Sequence, residues 1–290
     1  MSTASPFALF IRGSSAQAFD VSDQLGFDTD MKALAVSLFE DGPNMMHIQA
    51  LFETEQDAHD CLAALTLPKE MESFITQLPD EDWVSMSQAG LPPVDAGRFC
   101  IHGTHDAGAI AKDIPFPIEI NAGLAFGTGH HGTTKGCLLI FDGLLKEGLA
   151  PSSILDLGCG AGVLAIAAAK ALHREIIATD IDQDAVDVTL ENAALNGVQD
   201  YITSVQADGF ASPALNGQTF ELIFANILAG PLMGLAPDIA LALKPKGKVI
   251  LSGILDEQAD RVSQAFIKEG LEITPQPSLS GWTSLLGTKP

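Results

Sequence analysis

One short stretch limits what this chain can become: Leu155-Asp156-Leu157-Gly158-Cys159-Gly160-Ala161-Gly162. An apolar run over residues 154–157 ends in three glycines at alternate positions, and a second apolar run, 163–172, follows at once. Glycine reaches backbone conformations closed to other residues, so the stretch predicts a tight turn between a buried strand and a helix. The same texture continues downstream. Residues 176–179, 202–206, 222–225 and 248–251 read as strands, and 183–195, 231–243 and 257–268 as helices. Continuous apolar strands alternating with helices imply a parallel sheet covered on both faces. Two further short strands, 271–275 and 282–287, have no helix between them. They predict a closing hairpin that adds an antiparallel strand to the sheet.

The first part of the chain is built differently. Residues 7–11, 33–39 and 45–52 read as short strands and 55–65 as an amphipathic helix. Residues 1–67 are therefore expected to form a small α+β domain of ferredoxin-like type. Residues 68–105 are expected to be a link with a connecting strand, because Pro68, Pro79, Gly90, Pro92, Pro93 and Gly97 interrupt any regular element. Residues 98–102 and 116–120 read as edge strands leading into the main domain, 106–290.

Composition narrows the partners. The 290 residues carry 37 Asp and Glu against 15 Lys and Arg, a formal charge of −22. Such a chain lacks the positive field that nucleic acid or an anionic membrane surface requires. Disorder is excluded as well, since 47% of the residues are hydrophobic and 18% charged. The acidity is uneven: residues 1–97 hold 16 acidic and three basic residues, a net of −13, leaving −9 for residues 98–290. Cys61, Cys100, Cys137 and Cys159 form no CxxC pair, and the seven histidines show no metal-ligand spacing, the adjacent His130–His131 included. Reduced thiols and no metal are the expectation. Residues 1–13 lack a basic leader region and no apolar run nears the roughly 18 residues of a membrane span. The expected compartment is the cytoplasm.

The glycine spacing is G-x-G-x-G, one residue shorter than the dinucleotide fingerprint G-x-G-x-x-G. Asp180 follows Gly158 by 22 residues, at the end of the second strand, where a carboxylate can accept two ribose hydroxyls. Asp208, after the third strand, is placed for the exocyclic amine of an adenine, and Asp156 either pairs with a ligand ammonium or orders the loop. Acidic groups around Gly158 and Gly160 suit a ligand with a positive centre and repel a diphosphate. S-adenosylmethionine is such a ligand, and the pattern resembles the seven-stranded, Rossmann-like class I methyltransferases. The fourth strand ends Ala225-Asn226-Ile227-Leu228-Ala229-Gly230-Pro231. Ligands of open α/β sheets sit beyond the carboxyl ends of the strands, which puts Asn226 in the crevice, unless it serves only as a helix cap. Its amide oxygen, with a backbone carbonyl beside it, can accept from an amine and aim the nitrogen lone pair at a methyl group. Residues 121–134 read as a ligand-covering loop, with Phe126 as an apolar wall and the hydroxyls of Thr133 and Thr134 for the cofactor, ahead of a helix over 135–145.

The segments Gly123-Leu124-Ala125-Phe126-Gly127-Thr128-Gly129, His131, Thr133-Thr134, Asp156–Gly162, Asp180-Ile181-Asp182, Glu191-Asn192-Ala193, Asn196-Gly197-Val198, Ala225–Leu232 and Leu251–Leu255 together resemble the PrmA family. The resemblance spans roughly residues 83–290. It implies methyl transfer from S-adenosylmethionine to lysine ε-amines and the N-terminal α-amine of ribosomal protein L11, with cofactor contacts at Thr134, Gly158, Asp180 and Asn226. Asn121-Ala122 stands where the family has Asp-Pro, and Gly132 where it has Pro, changes that loosen the loop. A basic protein substrate fits the acidic N-terminal part. Other readings of the same residues are a lysine methyltransferase for another protein, such as the electron-transfer flavoprotein β subunit, and a SAM-binding module without catalysis. His131 is either a proton relay or a residue that structures the loop.

Overall fold

The computed structural model describes residues 7–14, 17–18, 21–22, 24–25, 32–33, 35–41, 45–77, 93–106, 108, 110, 113–121 and 132–290. The chain divides into two compact units, Met1–Met86 and Ser87–Pro290.

In the first unit, strands β1 (Phe7–Ser14), β2 (Ala35–Glu40), β3 (Met45–Phe52) and β4 (Glu72–Gln77) form a sheet in the order β2-β3-β1-β4. Every neighbouring pair is antiparallel. Leu9 and Ile11 on β1 and Ile48, Ala50 and Phe52 on β3 alternate into one buried face. Helix α1 (Glu55–Ala64) places Ala58 and Cys61 on that face, and the Thr54 side chain caps it by accepting from the Asp57 amide at 3.1 Å. Residues 17–18, 21–22 and 24–25 are helical too. This order is the ferredoxin-like arrangement. Strand β4 lies within the stretch read as a link. As an edge strand it leaves Phe74 60% exposed and only Ile75 half-buried, so it carries no apolar alternation to read.

The second unit opens with its own three-stranded sheet, β5 (Val94–Ala96), β6 (Phe99–His102) and β7 (Phe116–Glu119), in which β6 and β7 run parallel. The two stretches read as edge strands leading into the main domain pair with each other in this sheet. The main sheet has seven strands: β8 (Ile154–Leu157), β9 (Ile176–Asp180), β10 (Ile202–Gln206), β11 (Phe220–Asn226), β12 (Leu243–Leu255), β13 (Glu272–Pro275) and β14 (Trp282–Thr288). Their order is β10-β9-β8-β11-β12-β14-β13, with β14 antiparallel to both neighbours, as the closing hairpin predicts.

Alternate residues of β11 feed two separate cores, Leu222 and Phe224 on one face and Ile223 and Ala225 on the other. The first face is covered by helices α2 (Gly132–Lys146) and α3 (Val163–Leu172), and α4 (Gln183–Leu195) packs beside β9 and β10. The second face takes α5 (Ala229–Gly234), α6 (Ala236–Ala242) and α7 (Ala259–Lys268). The single helix expected over residues 231–243 is two, because Pro237 opens α6 and cannot continue the hydrogen-bond ladder of α5. Among the described residues no helix is long and apolar enough to cross a membrane.

Phe224 is fully buried and meets the Phe141 ring edge-to-face at 5.2 Å. Phe224→Ala is expected to cost about 3–5 kcal/mol, read from the urea midpoint of the second unit. A cost below about 1 kcal/mol would contradict this packing.

Candidate active site

The glycine-rich turn is pinned to the end of β9. The amides of Gly158 and Cys159 both donate to the Thr179 carbonyl, at 2.8 and 2.9 Å, and the Gly162 amide closes the turn on the Cys159 carbonyl at 2.8 Å. Gly158 has φ +73°, and a Cβ there would collide with Cγ2 of Ile227 at the end of β11. Any side chain at 158 would thus be strained and would fill the cradle between β8 and β11. Gly253 on β12, with φ +81°, is pressed in the same way against the backbone of Ile227. Two glycines let the β11 end pass between the strands that flank it.

Asp180 closes the other side of the turn. Its Oδ2 accepts from the Gly160 amide at 2.9 Å and its Oδ1 from the Asp182 amide at 3.1 Å. Each carboxylate oxygen accepts about two hydrogen bonds, so both keep capacity for a pair of ligand hydroxyls. Beside it Ile181 is 66% exposed. An isoleucine so exposed beside Asp180 offers an apolar surface at the mouth of the crevice, one that the sequence alone does not single out. Its signal was an apolar side chain directly after the acidic one. Asp208 is exposed, two residues beyond β10, in a turn closed by the Ala211 amide on its carbonyl at 3.0 Å.

Asp156 is 1% exposed and its Oδ2 accepts from the Ala165 amide in the first turn of α3 at 2.9 Å. That bond ties β8 to the helix across the turn. Burial, with the Asp180 charge adding to it and the Ala165 bond opposing, pushes its carboxyl up to about 7. The thiols of Cys137 and Cys159 rise to about 12, chiefly through burial, so neither is a nucleophile at neutral pH.

Asn226 is the last residue of β11, half-buried, and its Nδ2 donates to Thr134 Oγ1 at 3.3 Å. With the amide nitrogen so engaged, the oxygen is left as an acceptor. The helix cap belongs to Leu228, so capping does not account for Asn226. Thr133 and Thr134, expected in a loop, are buried in the first turn of α2, which starts at Gly132. The small Gly132 admits this, since the Leu279 carbonyl lies 2.6 Å from where its Cβ would be. Ser252, paired with Asn226 across β11 and β12, secures the same helix end. Its hydroxyl donates to the Thr133 carbonyl at 3.2 Å and meets Ser284 Oγ at 2.9 Å. The pairing of β12 with β14 slips between Leu251 and Ile254, a bulge that sits where this hydroxyl is needed. Phe126 and His131 lie outside the described residues. The candidates Thr133, Thr134, Asp156, Gly158, Gly160, Asp180 and Asn226 belong to adjoining strand and helix ends; Asp208 follows β10, next to Ala207, whose amide donates to the Asp180 carbonyl at 2.7 Å. Among the described residues no group of three His, Cys, Asp or Glu is placed to hold a metal.

The folded state keeps a proton on Asp156 that an unfolded carboxyl, near 3.8, has released. The stability this supplies is complete below about pH 4 and is lost as pH rises through about 7. Asp156→Asn is expected to flatten the pH dependence of the urea midpoint across that window and to exceed the wild type in stability at pH 8. An unchanged slope would place the proton elsewhere.

A family model described as Ribosomal protein L11 methyltransferase (PrmA) matches residues 7–290. A Rhodopseudomonas palustris protein named ribosomal protein L11 methyltransferase is 44% identical, over 99% of this chain and 98% of its own. A Brucella abortus protein of the same name is 42% identical, over 96% and 97%. The crystal structure of a ribosomal protein L11 methylase from Lactobacillus delbrueckii subsp. bulgaricus superposes with a TM-score of 0.59 at 29% identity, covering 68% of this chain and 98% of that one. With its sheet order, its glycine-rich turn and these relatives in agreement, the chain belongs to the ribosomal protein L11 methyltransferase (PrmA) family.

Proposed function

We propose that this chain transfers methyl groups from S-adenosylmethionine to amines of ribosomal protein L11, lysine ε-amines and the N-terminal α-amine. The observation that carries the reading is the Asn226–Thr134 pair, held at the carboxyl end of β11 beside the glycine-rich turn and Asp180. The donor set fits the cofactor: a turn without side chains, a carboxylate with free capacity for two hydroxyls, and an apolar wall at Ile181. S-adenosylmethionine supplies a methyl already activated on a sulfonium. Positioning is what remains for the protein to do.

Asp180 holds the ribose, Gly158 and Gly160 let the backbone approach the ligand, and Asp208 takes the adenine amine. Thr133 and Thr134 set the helix end facing the methionine part. Asp156 orders α3 behind the turn, and its charge responds to a cation brought near. Asn226 Oδ1 and a neighbouring backbone carbonyl accept from the amine, so that its lone pair faces the methyl. A lysine amine, with an ordinary pKa near ~10.4, has to enter neutral; a dry site next to a positive centre favours that form. The methylammonium formed when the methyl leaves sulfur for nitrogen then releases one proton to water, with no dedicated base.

The acidic first unit, whose sheet runs past residue 67 to take in β4, recognises a basic protein through complementary charge, and the second unit, Ser87–Pro290, carries out the methyl transfer. The setting is the cytoplasm, and neither nucleic acid nor membrane is a direct partner. Membership of the family argues against the electron-transfer flavoprotein β subunit as the target and against a module without catalysis.

Incubation with methyl-labelled cofactor and total ribosomal protein is expected to label one band at the mass of L11. A band elsewhere, or none, refutes the assignment. Asn226→Ala is expected to lower turnover about 10²-fold with the protein still folded and cofactor bound. Full turnover would remove Asn226 from the mechanism. Affinity for L11 is expected to fall as salt rises from low to physiological ionic strength; salt-independent binding would return the acidity to solubility alone.

A further inference from the structure

Helix α4 and its C-cap residue present three polar side chains, Thr189, Asn192 and Asn196, at positions i, i+3 and i+7 of one helical face. Thr189 and Asn192 are fully buried. Thr189 Oγ1 donates to the Gly160 carbonyl at 2.9 Å, and Asn192 Nδ2 donates to the Ala161 carbonyl at 2.9 Å. Both bonds reach the glycine-rich turn from behind. The peptide unit is planar and trans, so drawing the Gly160 carbonyl towards α4 turns the Ala161 amide away from it. Asn192 Oδ1 also accepts from the Asn121 amide at 2.9 Å, just past β7. Asn196 differs: its side chain bonds the Glu119 amide and carbonyl and the Asn192 carbonyl, with none of its bonds on the turn.

Thr179 and Asp180 fix the turn from the β9 side through its amides, while Thr189 and Asn192 fix it through its carbonyls. Three glycines leave this backbone with many alternatives, and the two side chains remove them. We infer that Thr189 and Asn192 are positioning residues of the cofactor site: they hold the peptide planes of Gly160 and Ala161 in the ligand-ready orientation and thereby set affinity for S-adenosylmethionine. The inference rests on the methyltransferase reading above. It separates cofactor binding from methyl transfer, since neither side chain approaches Asn226 through any of these bonds.

The test uses the full chain and three variants, with S-adenosylmethionine binding followed by calorimetry, steady-state kinetics on L11 and thermal melting. Thr189→Val keeps the shape and removes the hydroxyl, Thr189→Ser restores it, and Asn192→Asp keeps the acceptor for Asn121 while removing the donor to Ala161. Thr189→Val and Asn192→Asp are each expected to raise the Kd and KM for S-adenosylmethionine about tenfold, with kcat at saturating cofactor within about twofold of wild type. Thr189→Ser is expected to return to wild-type affinity. Asn196→Ala serves as the comparison, with a lower melting temperature and unchanged cofactor Kd. Should Asn192→Asp not fold, the Thr189 pair decides. Unchanged Kd in folded Thr189→Val, or a Kd raised as much by Asn196→Ala, overturns the inference and reduces the face to structural support. Failure of the wild type itself to bind the cofactor overturns the functional reading, and with it this one.

Discussion

The carbonyl of Thr179 accepts two amides of the glycine-rich turn, and much of the second unit is arranged around that junction. It joins the end of β9 to the end of β8, so the strand that ends in Asp180 and the turn that ends β8 cannot move independently. Three positive φ values, at Gly158, Gly160 and Gly162, are the conformational condition for it. A β-carbon at any of the three would have to adopt a left-handed backbone, and at Gly158 it would also displace Ile227. Once the junction exists, Asp180 lies against the Gly160 amide and the start of α3 lies over Asp156.

Around the junction, the site is held by hydrogen bonds between segments far apart in the chain. Asn226 reaches Thr134, Ser252 reaches Thr133, and Ser252 also meets Ser284. Each such bond contributes only about 0.5–1.5 kcal/mol to stability, whereas leaving a buried partner unmade costs about 1–3 kcal/mol. The effect of the set is therefore to exclude other arrangements of α2 against β11 and β12 more than to raise stability. That suits a reaction in which the cofactor arrives activated and the protein has to place an amine. Asp156 lies buried behind the turn, and burial pushes its carboxyl up to about 7.

How much of this was legible depended on the distance between partners. Asp180 was read from Gly158 because strand, turn, helix and strand are consecutive and the crossover geometry is strongly constrained. Asn226 was read from its place after an apolar strand. The helical start of α2 at Gly132 was not, since it depends on Leu279 and Trp282 from the closing hairpin. Strand β4 was passed over because an edge strand with one half-buried residue leaves no periodic signal. Ser252 and Asn192 stood in segments that resemble the family, yet their tasks were invisible, because their partners are up to 119 residues away.

What the sequence determined by itself was local: glycines where the backbone had to turn, apolar runs where strands had to be buried, carboxylates at strand ends, and an excess of negative charge concentrated before residue 98. Local conformational preference and burial suffice for these, and they led to the fold and to the class of ligand. Tertiary structure alone decided which side chains meet. It gave Thr134 to Asn226, Ser252 to the Thr133 carbonyl, and Asn192 to both Asn121 and Ala161. Those pairings follow from strand order, sheet register and a bulge, which are settled only when the whole sheet packs.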